Sequence, residues 1–401
     1  MGNLLFWLFF FTPGWALPDG SDTEEDLRWH LSKVPRIVSD QTVQLPSPTF
    51  QADAWAAVSR ACGLASQQEL GARSLSELED HLSYETVFEN GTRTLTRVKV
   101  EGLAPEGARN ASSGRAPARR RRQVFGTDSR FSIVDRRFST SFPFGSAVKL
   151  STGCSGILVS PQHVLTAAHC VHDGQDYVRG GRRLRVGVLR ARARGAGRRR
   201  RGPRRSGSEA GDDRAGALRA AGRGGRRRRA QARGAAFQWT RVASTQVPRG
   251  WARAGGAAPG LDFDYALLQL RRARGRRHME LGVSPAAARL PGGMIHFSGF
   301  DRDRDGQLVY RFCSVSDAAG DFLYQHCDAE AGSAGAGVYL RLRDPDGKTW
   351  RRKVIAVYSG PQQVRVRGVA RDYNVAVRVT PLKFAQICRW VGGDDARCAY
   401  G

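Results

Sequence analysis

The sequence predicts an all-β sandwich or barrel from Gln123 onwards, closed by one C-terminal helix. Short apolar segments such as SGILVS, HVLTAA, DYALLQL and NVAVRVTP are separated by Gly, Pro and Asp, a spacing that is typical of short strands. The segment LKFAQICRWV near the end instead has apolar residues at helical spacing, among them Leu382 and Cys388. We therefore expect a helix there.

Residues 1–16 are predicted to be a signal peptide. Leu4 to Phe11 form an unbroken apolar run that is too short to span a bilayer, and small and turn residues follow around Ala16. The basic start that is usual in such segments is missing. No later stretch reaches about 18 consecutive apolar residues, so no membrane anchor is expected. We expect a secreted, extracellular protein whose cysteines meet an oxidising compartment.

Residues 17–122 are predicted to be a pro-region. The segment TVFENGTRTLTRVKV predicts a β-hairpin with an Asn-Gly turn at Asn90. The run ARRRRQV contains the Arg-x-x-Arg pattern that secretory proprotein convertases cut, so we expect cleavage between Arg122 and Gln123. The alternative is a solvated basic linker. Cleavage is favoured because the composition of the chain changes at this run.

Two kinds of covalent modification are expected of a secreted chain of this composition. Asn90 and Asn110 lie in Asn-x-Ser/Thr sequons and are predicted glycan sites, with chance matches as the alternative. Six of the seven cysteines fall into close pairs, and short loops close easily, although spacing alone does not fix connectivity. The pairs are Cys154 with Cys170, Cys313 with Cys327, and Cys388 with Cys398. Cys62 is left over: it is free, pairs between chains, or exchanges with one of these pairs.

Residues 190–233 interrupt the strand pattern with a basic, low-complexity segment. They hold 17 Arg against three acidic residues, a net charge of +14 in a chain whose total is +27. The rest of the segment is mostly Ala, Gly and Ser without apolar periodicity, so we expect a disordered surface loop within the β domain. Such a loop could bind heparan sulfate or another polyanion, or it could have no partner. Nucleic acid is disfavoured by secretion and by the lack of interleaved aromatic residues.

Three segments in a fixed order carry the expected chemistry. LTAAHCVHDG places His169 just after a strand, LDFDYALLQL places Asp264 just before one, and GSAGAGVY follows later. This order, with the TAAHC motif, resembles the chymotrypsin-type serine protease family over about residues 123–401. The resemblance implies a double antiparallel β-barrel and a disulfide between Cys154 and Cys170 that braces the histidine. It also implies that His169 is the general base and that Asp264 fixes its tautomer.

The same resemblance implies that the nucleophile is missing. Against the family motif Gly-Asp-Ser-Gly-Gly, Ala334 falls at the serine, and Gly332 and Gly335 match the flanking glycines. The backbone amides of Gly332 and Ala334 would then form the oxyanion hole. The alternative register uses Ser333 as nucleophile but matches neither glycine. In the favoured register Ser333 stands where the family has the aspartate that pairs with the new N-terminus.

The expected function is therefore that of a pseudoprotease, a catalytically inactive homologue with a binding or regulatory role and an unidentified protein partner. One alternative is an active secreted endopeptidase that uses Ser333, and another is a polyanion-binding matrix protein in which the barrels are only a scaffold. No cofactor is expected. No metal site is expected either, because the calcium-loop-like DRDRDG at residues 301–306 has Phe312 where the chelating glutamate belongs; an acidic turn is the better interpretation.

Overall fold

The computed structural model describes the chain in ranges separated by gaps: 34–46, 74–102, 125, 127–178, 183–190, 237–252, 260–273, 275–290, 292–343, 348–366 and 369–392. The strands are β1 Arg36–Leu45, β2 Tyr84–Phe88, β3 Arg93–Glu101, β4 Phe131–Ile133, β5 Ala147–Leu150, β6 Ser155–Leu158, β7 His163–Thr166, β8 Arg185–Leu189, β9 Phe237–Pro248, β10 Ala266–Leu270, β11 Glu280–Leu281, β12 Met294–Gly299, β13 Leu308–Ala319, β14 Phe322–Gln325, β15 Gly337–Arg343, β16 Trp350–Val366 and β17 Val369–Arg378. The α-helices are α1 Leu75–Leu82, α2 Arg136–Ser139 and α3 Pro381–Gly392.

The first barrel is a closed ring of six antiparallel strands. Its order is β9-β10-β7-β6-β5-β8, and β8 pairs back to β9. Closure leaves the ring without an open edge. The strand β10 shows why these residues form a barrel wall, since Leu267, Leu268 and Leu270 are fully buried while Gln269 between them is exposed.

The second barrel repeats the plan with β16-β15-β12-β13-β14-β17, closed by the pairing of β16 with β17. The short strand β4 adds to β13, and β11 adds in parallel to β16. Two closed antiparallel barrels confirm the all-β prediction and the double barrel that the family resemblance implies. Among the described residues, no helix is long and apolar enough to cross a membrane.

The predicted C-terminal helix is present as α3. It starts at Pro381, a favourable first position because a proline has no N–H to leave unpaired there. Its apolar face is buried, and the Trp390 ring lies 5.3 Å from the ring of Tyr84 and 5.9 Å from that of Tyr265. The helix therefore packs on the first barrel and on residues that precede the predicted cleavage site.

The predicted hairpin around Asn90 is confirmed, and it is part of the first barrel's sheet. Strand β2 pairs with β3 on one side and with β9 on the other, and β1 continues the sheet beyond β3. Apolar side chains from this segment belong to the same buried core as those of the first barrel. They are Ile37, Leu82, Tyr84, Val87, Val98 and Val100. The described elements β1, α1, β2 and β3 therefore share one core with the first barrel, and the three strands join its sheet.

Several predicted features lie outside the described residues. They are the signal segment 1–16, Cys62, Asn110, the cleavage site Arg122–Gln123, Cys398 and the basic segment beyond Arg190. Asn90 is described: it is exposed at the hairpin turn, and its Oδ1 accepts a hydrogen bond from the Thr92 N–H at 2.9 Å. That exposure is compatible with a glycan at Asn90.

Candidate active site

His169 is held by the end of a strand and a disulfide. Strand β7 ends at Thr166, and a single 3-10 turn over Ala168–Cys170 follows. The small side chains next to His169 fit a turn that is completely buried. Cys170 is bonded to Cys154, with 5.9 Å between their Cα atoms. The pairing that the resemblance implied is present, and it ties the histidine turn to the start of β6.

Asp264 is the anchor of the site. It lies between a 3-10 turn and β10, is fully buried, and accepts three hydrogen bonds. Its Oδ1 accepts the backbone N–H of His169 at 2.9 Å, and its Oδ2 accepts the Nδ1–H of the same residue at 2.8 Å. The Ser359 hydroxyl also donates to Oδ2, at 2.5 Å. This arrangement fixes the histidine tautomer, since the carboxylate only accepts.

The glycine turn requires glycine at two positions, Gly332 and Gly335. Gly332 has φ +103° and Gly335 has φ +83°, the left-handed region that side chains avoid. A Cβ on Gly332 would lie 2.5 Å from the Phe300 carbonyl oxygen, and one on Gly335 would overlap Thr166 Oγ1. The loop is thus pressed against the strand end that precedes the histidine turn.

Ser155 positions this loop from the first barrel. Its N–H donates to the Ala334 carbonyl at 2.8 Å, and its hydroxyl donates to the Gly332 carbonyl at 2.7 Å. The hydroxyl oxygen also accepts the Phe300 N–H at 2.8 Å. From the second barrel, the Tyr358 carbonyl accepts the Gly335 N–H at 2.7 Å. Tyr358 binds the loop and its neighbour Ser359 binds Asp264, so β16 connects the loop to the aspartate.

The amide groups of the loop have different roles. The Ser333 N–H donates to the Glu330 carbonyl at 3.1 Å, which closes the turn. Among the described residues, neither the Gly332 nor the Ala334 N–H donates to a protein acceptor. These are the two amides that the resemblance assigns to the oxyanion hole.

Ser333 is a turn residue in this structure. Its hydroxyl donates to the Glu330 carbonyl at 2.6 Å, which uses its one proton within the turn. The side chain is completely buried, and a Cβ added to Gly299 would lie only 3.3 Å from the Ser333 Cβ. Ser333 therefore packs against β12, and its hydroxyl stabilises the turn through the hydrogen bond to the Glu330 carbonyl.

The segment after the predicted cleavage site is bound by Asp328. This buried carboxylate accepts the Phe125 N–H at 2.6 Å and the N–H and hydroxyl of Ser129 at 2.8 and 2.7 Å. These contacts use two internal backbone N–H groups and one hydroxyl, and none of them needs a free α-amino group. The segment can therefore dock before as well as after cleavage.

Two groups of possible metal ligands occur among the described residues, one with two cysteines and one acidic, and neither is suited to a metal ion. Cys154, Cys170 and His169 lie close together, but the two sulfurs are joined in a disulfide and are not thiolate ligands. In the 301–306 segment the carboxylates are bound by cations. Asp301 pairs with Arg130 at 2.7 Å and with Arg311 at 2.5 Å, Asp303 pairs with Arg130 at 2.8 Å, and Asp305 pairs with Lys149 at 3.0 Å. This agrees with an acidic turn.

The site has a base and its positioning group, but it is closed. His169 is 1% exposed and Ala334 is 5% exposed. Nearby His172 is fully buried, and burial lowers its pKa to about 3, so it is neutral at physiological pH. Ala334 carries only a methyl group, which cannot attack a carbonyl. The arrangement can hold a proton on His169, but Ala334 offers that base no nucleophile to activate.

Sequence reasoning missed Ser155, Ser359 and Asp328. Ser155 follows Cys154 and Ser359 lies between Tyr358 and Gly360, and neither setting marks a serine as functional. Their roles depend on partners that are 95 and 177 residues away in the chain. The sequence carries no local signal for those contacts.

Comparison with known proteins places the chain among serine protease homologues. The trypsin family model matches residues 134–205. The chain is 61% identical to inactive serine protease 35 of Mus musculus over 409 residues, covering 100% of both chains. It is 42% identical to serine protease 23 of Homo sapiens over 402 residues, covering 100% of this chain and 99% of the relative. A solved structure of a Glu endopeptidase in complex with MPD aligns at 15% identity and a TM-score of 0.42, covering 68% of this chain and 100% of the other.

Proposed function

This chain belongs to the trypsin-like serine protease family and is a non-catalytic homologue of the inactive serine protease 35 type, and on that premise we propose that it is a secreted protein that acts by binding. The observation that carries this proposal is Ala334. It lies in the glycine turn beside an assembled His169–Asp264 pair, where an active member has its serine. The His169–Asp264 pair and the flanking glycines Gly332 and Gly335 are present, so the surrounding geometry is kept although the hydroxyl is absent.

Loss of the nucleophile is sufficient to account for inactivity. Removal of a triad serine lowers turnover on the order of a million-fold in an otherwise intact protease. The alternative of an endopeptidase that uses Ser333 is disfavoured, because that hydroxyl donates to the Glu330 carbonyl. The burial of His169 also argues against a role in which substrates are held in the cleft. Binding through the outer surface is the better proposal.

Secretion is supported by the apolar segment before Ala16 and by the chain's disulfides. The bonds Cys154–Cys170 and Cys313–Cys327 are both formed, and bonds of this kind persist in oxidising compartments. The exposed sequon at Asn90 and the convertase pattern before Gln123 fit the same route. We propose processing by a secretory proprotein convertase and glycosylation at Asn90 and Asn110.

The Arg-rich segment 190–233 is the first candidate for a ligand-binding element. It leaves the first barrel between β8 and β9, whose ends Leu189 and Phe237 are paired directly. A short turn could join these paired ends, so the segment is an insertion on which the barrel does not depend. Its +14 charge favours heparan sulfate or another extracellular polyanion.

Replacement of the 190–233 segment by a short Asn-Gly turn is expected to leave the fold intact and to lower the salt concentration at which the protein elutes from heparin. Exposed charges are screened over about 8 Å at physiological ionic strength, so the retention should depend steeply on salt. The control is the melting temperature, which should change little. Elution of both proteins at the same salt concentration would rule out this segment as the binding element.

A further inference from the structure

The outer face of the second barrel carries a row of aromatic side chains that runs across three strands. Phe312 on β13 lies opposite His296 on β12, and His296 lies opposite Tyr339 on β15. The His296 ring stacks on Tyr339 at 5.4 Å and on Tyr310 at 6.1 Å, and its Nδ1 lies 2.8 Å from the Tyr310 hydroxyl oxygen. The rings of His296, Tyr310, Phe312 and Tyr339 contact one another in a continuous layer.

Arginines continue this row toward the end of the β15–β16 hairpin. Arg341 lies directly opposite Arg352, and Arg343 lies opposite Trp350. The guanidinium carbons of Arg341 and Arg343 are 4.9 and 5.3 Å from the centre of the Trp350 ring. On the other side, Arg277 and Arg352 approach the Phe142 ring at 4.3 and 5.5 Å. We call Arg277, Arg341, Arg343 and Arg352 the arginine face.

The arginine face differs from several other arginines of the second barrel in its lack of acidic partners among the described residues. Among the described residues, none of its four guanidinium groups forms an ion pair, whereas Arg130, Arg304 and Arg311 of the same barrel are each paired with aspartates. Like charges directly opposite each other on neighbouring strands are destabilising. Arg341 and Arg352 are such a pair, so this arrangement lowers the stability of the free protein.

The buried Nε–H of Arg352 is a second observation that points to an anionic ligand at this face. This group has no acceptor among the described residues, which costs free energy. Burial lowers the pKa of Arg352, and the nearby charges of Arg341 and Arg277 lower it further, against a raising effect of Tyr339. Burial and the same Arg341 and Arg352 charges lower the pKa of His296 to about 4, so His296 is neutral at physiological pH. The positive charge of this surface therefore comes from the arginines.

We propose that the arginine face binds a sulfated polysaccharide. The Cα atoms of Arg341 and Arg343 lie about 7 Å apart along β15, and that of Arg352 lies about 5 Å away on the next strand. The three side chains therefore start from one flat stretch of sheet, which suits a linear chain of anionic groups. The inference deepens the proposed polyanion binding, on which it rests for an extracellular ligand. It places a structured site on the second barrel, separate from the 190–233 segment on the first.

The geometry favours a polysaccharide over a nucleic acid or a peptide. Binding of single-stranded nucleic acid relies on free aromatic faces on which bases stack. Here the Trp350 ring is in contact with Arg341 and Arg343, and Tyr339 and His296 are buried among other rings. A peptide recognised by its side chains needs pockets, whereas the rings of His296, Tyr310 and Tyr339 pack directly against one another. The face thus presents four guanidinium groups beside the partly exposed rings of Trp350 and Phe312.

The test uses the protein with the 190–233 segment replaced, so that this segment cannot contribute. Binding of a heparin oligosaccharide of defined length is measured by titration calorimetry at several salt concentrations. We expect the variant Arg341→Gln/Arg352→Gln to bind at least ten-fold more weakly. We also expect the slope of log K against log salt to fall by about two, since each lost cation contact releases about one counterion fewer.

The control variant is Arg241→Gln/Arg271→Gln, which removes the same charge from two exposed arginines that pair with Glu89 on the first barrel. It should bind as the parent does. The Arg341→Gln/Arg352→Gln protein should also melt at an equal or higher temperature, because a like-charge pair is removed. Unchanged binding by that variant, or an equal loss in the control, overturns the proposal.

Two further ligands decide the class of partner. Fully desulfated heparin of the same length should bind much more weakly than heparin, and duplex DNA or a poly-glutamate peptide should bind more weakly as well. Equal binding of DNA or of the acidic peptide overturns the assignment to a sulfated polysaccharide. If the full chain binds heparin but the protein with the 190–233 segment replaced does not, the arginine face is refuted as a binding site. The proposed function would still stand.

Discussion

Cleavage after Arg122 is expected to leave residues 17–122 bound to the barrels and not to release them. Strand β2 pairs with β9 over five residues, from Tyr84 opposite Pro248 to Phe88 opposite Ser244. The buried apolar side chains of this segment are worth about 1.5–3 kcal/mol each relative to exposure. Six of them together contribute about 9–18 kcal/mol of burial free energy before the conformational entropy of the ordered segment is subtracted.

The complex can be tested on the secreted protein. After cleavage, the two pieces should elute together on size exclusion in native buffer and should separate in denaturant. The assay uses Cys62→Ser, so that no disulfide through Cys62 holds the pieces together. A single intact mass in both convertase-competent and convertase-deficient cells would remove the cleavage claim, and elution as separate pieces in native buffer would remove the claim of association.

Two neighbouring residues of β2 provide a matched pair of variants. Val87 is 1% exposed and lies in the core, whereas Phe88 is 38% exposed on the other face. Val87→Asp buries a charge and should prevent secretion of folded protein, while Phe88→Asp should be tolerated. Similar yields and melting temperatures for the two variants would contradict a shared core.

Asp264→Ala is expected to lower the free energy of unfolding by about 3–5 kcal/mol, although the protein has no reaction to lose. Three donors lose their acceptor at once, the backbone N–H and ring Nδ1–H of His169 and the hydroxyl of Ser359. All are buried where water cannot replace the carboxylate. This structural role is a physical reason for Asp264 and His169 to remain after the nucleophile is gone.

Urea unfolding of the purified variant measures this effect. The control is Glu101→Ala, which removes an exposed carboxylate 3.8 Å from Arg36. An exposed pair of this kind is worth about 0–1 kcal/mol, so the control should unfold almost as the parent does. If Asp264→Ala is as stable as Glu101→Ala, the pair has no structural role and its retention needs another reason.

The sequence predicts those parts of the fold that are encoded locally. The hairpin at Asn90 follows from an Asn-Gly turn between alternating strands, and α3 follows from apolar residues at helical spacing. His169 stands out because its motif ends a strand beside a cysteine. Each of these signals lies within about ten residues of chain.

Contacts between distant segments are what the sequence could not predict. The strands β2 and β9 pair across more than 150 residues, and nothing in the pattern of either strand names its partner. For this reason the pattern of residues 17–122 did not indicate that β1, β2 and β3 join the first barrel's sheet. Ser359 contacts Asp264 and Asp328 contacts Phe125 across 95 and 203 residues of chain.

The central claim is that an otherwise assembled protease site lacks its nucleophile because Ala334 stands in the serine's place. The most direct test is reaction of the purified, convertase-cut protein with a serine-directed fluorophosphonate probe, followed by mapping of the labelled residue. We expect no labelling of the wild-type protein, labelling of Ala334→Ser at residue 334, and loss of that labelling when His169→Ala is added. Labelling of the wild-type protein at Ser333 that disappears with His169→Ala would contradict the account and would show an active enzyme.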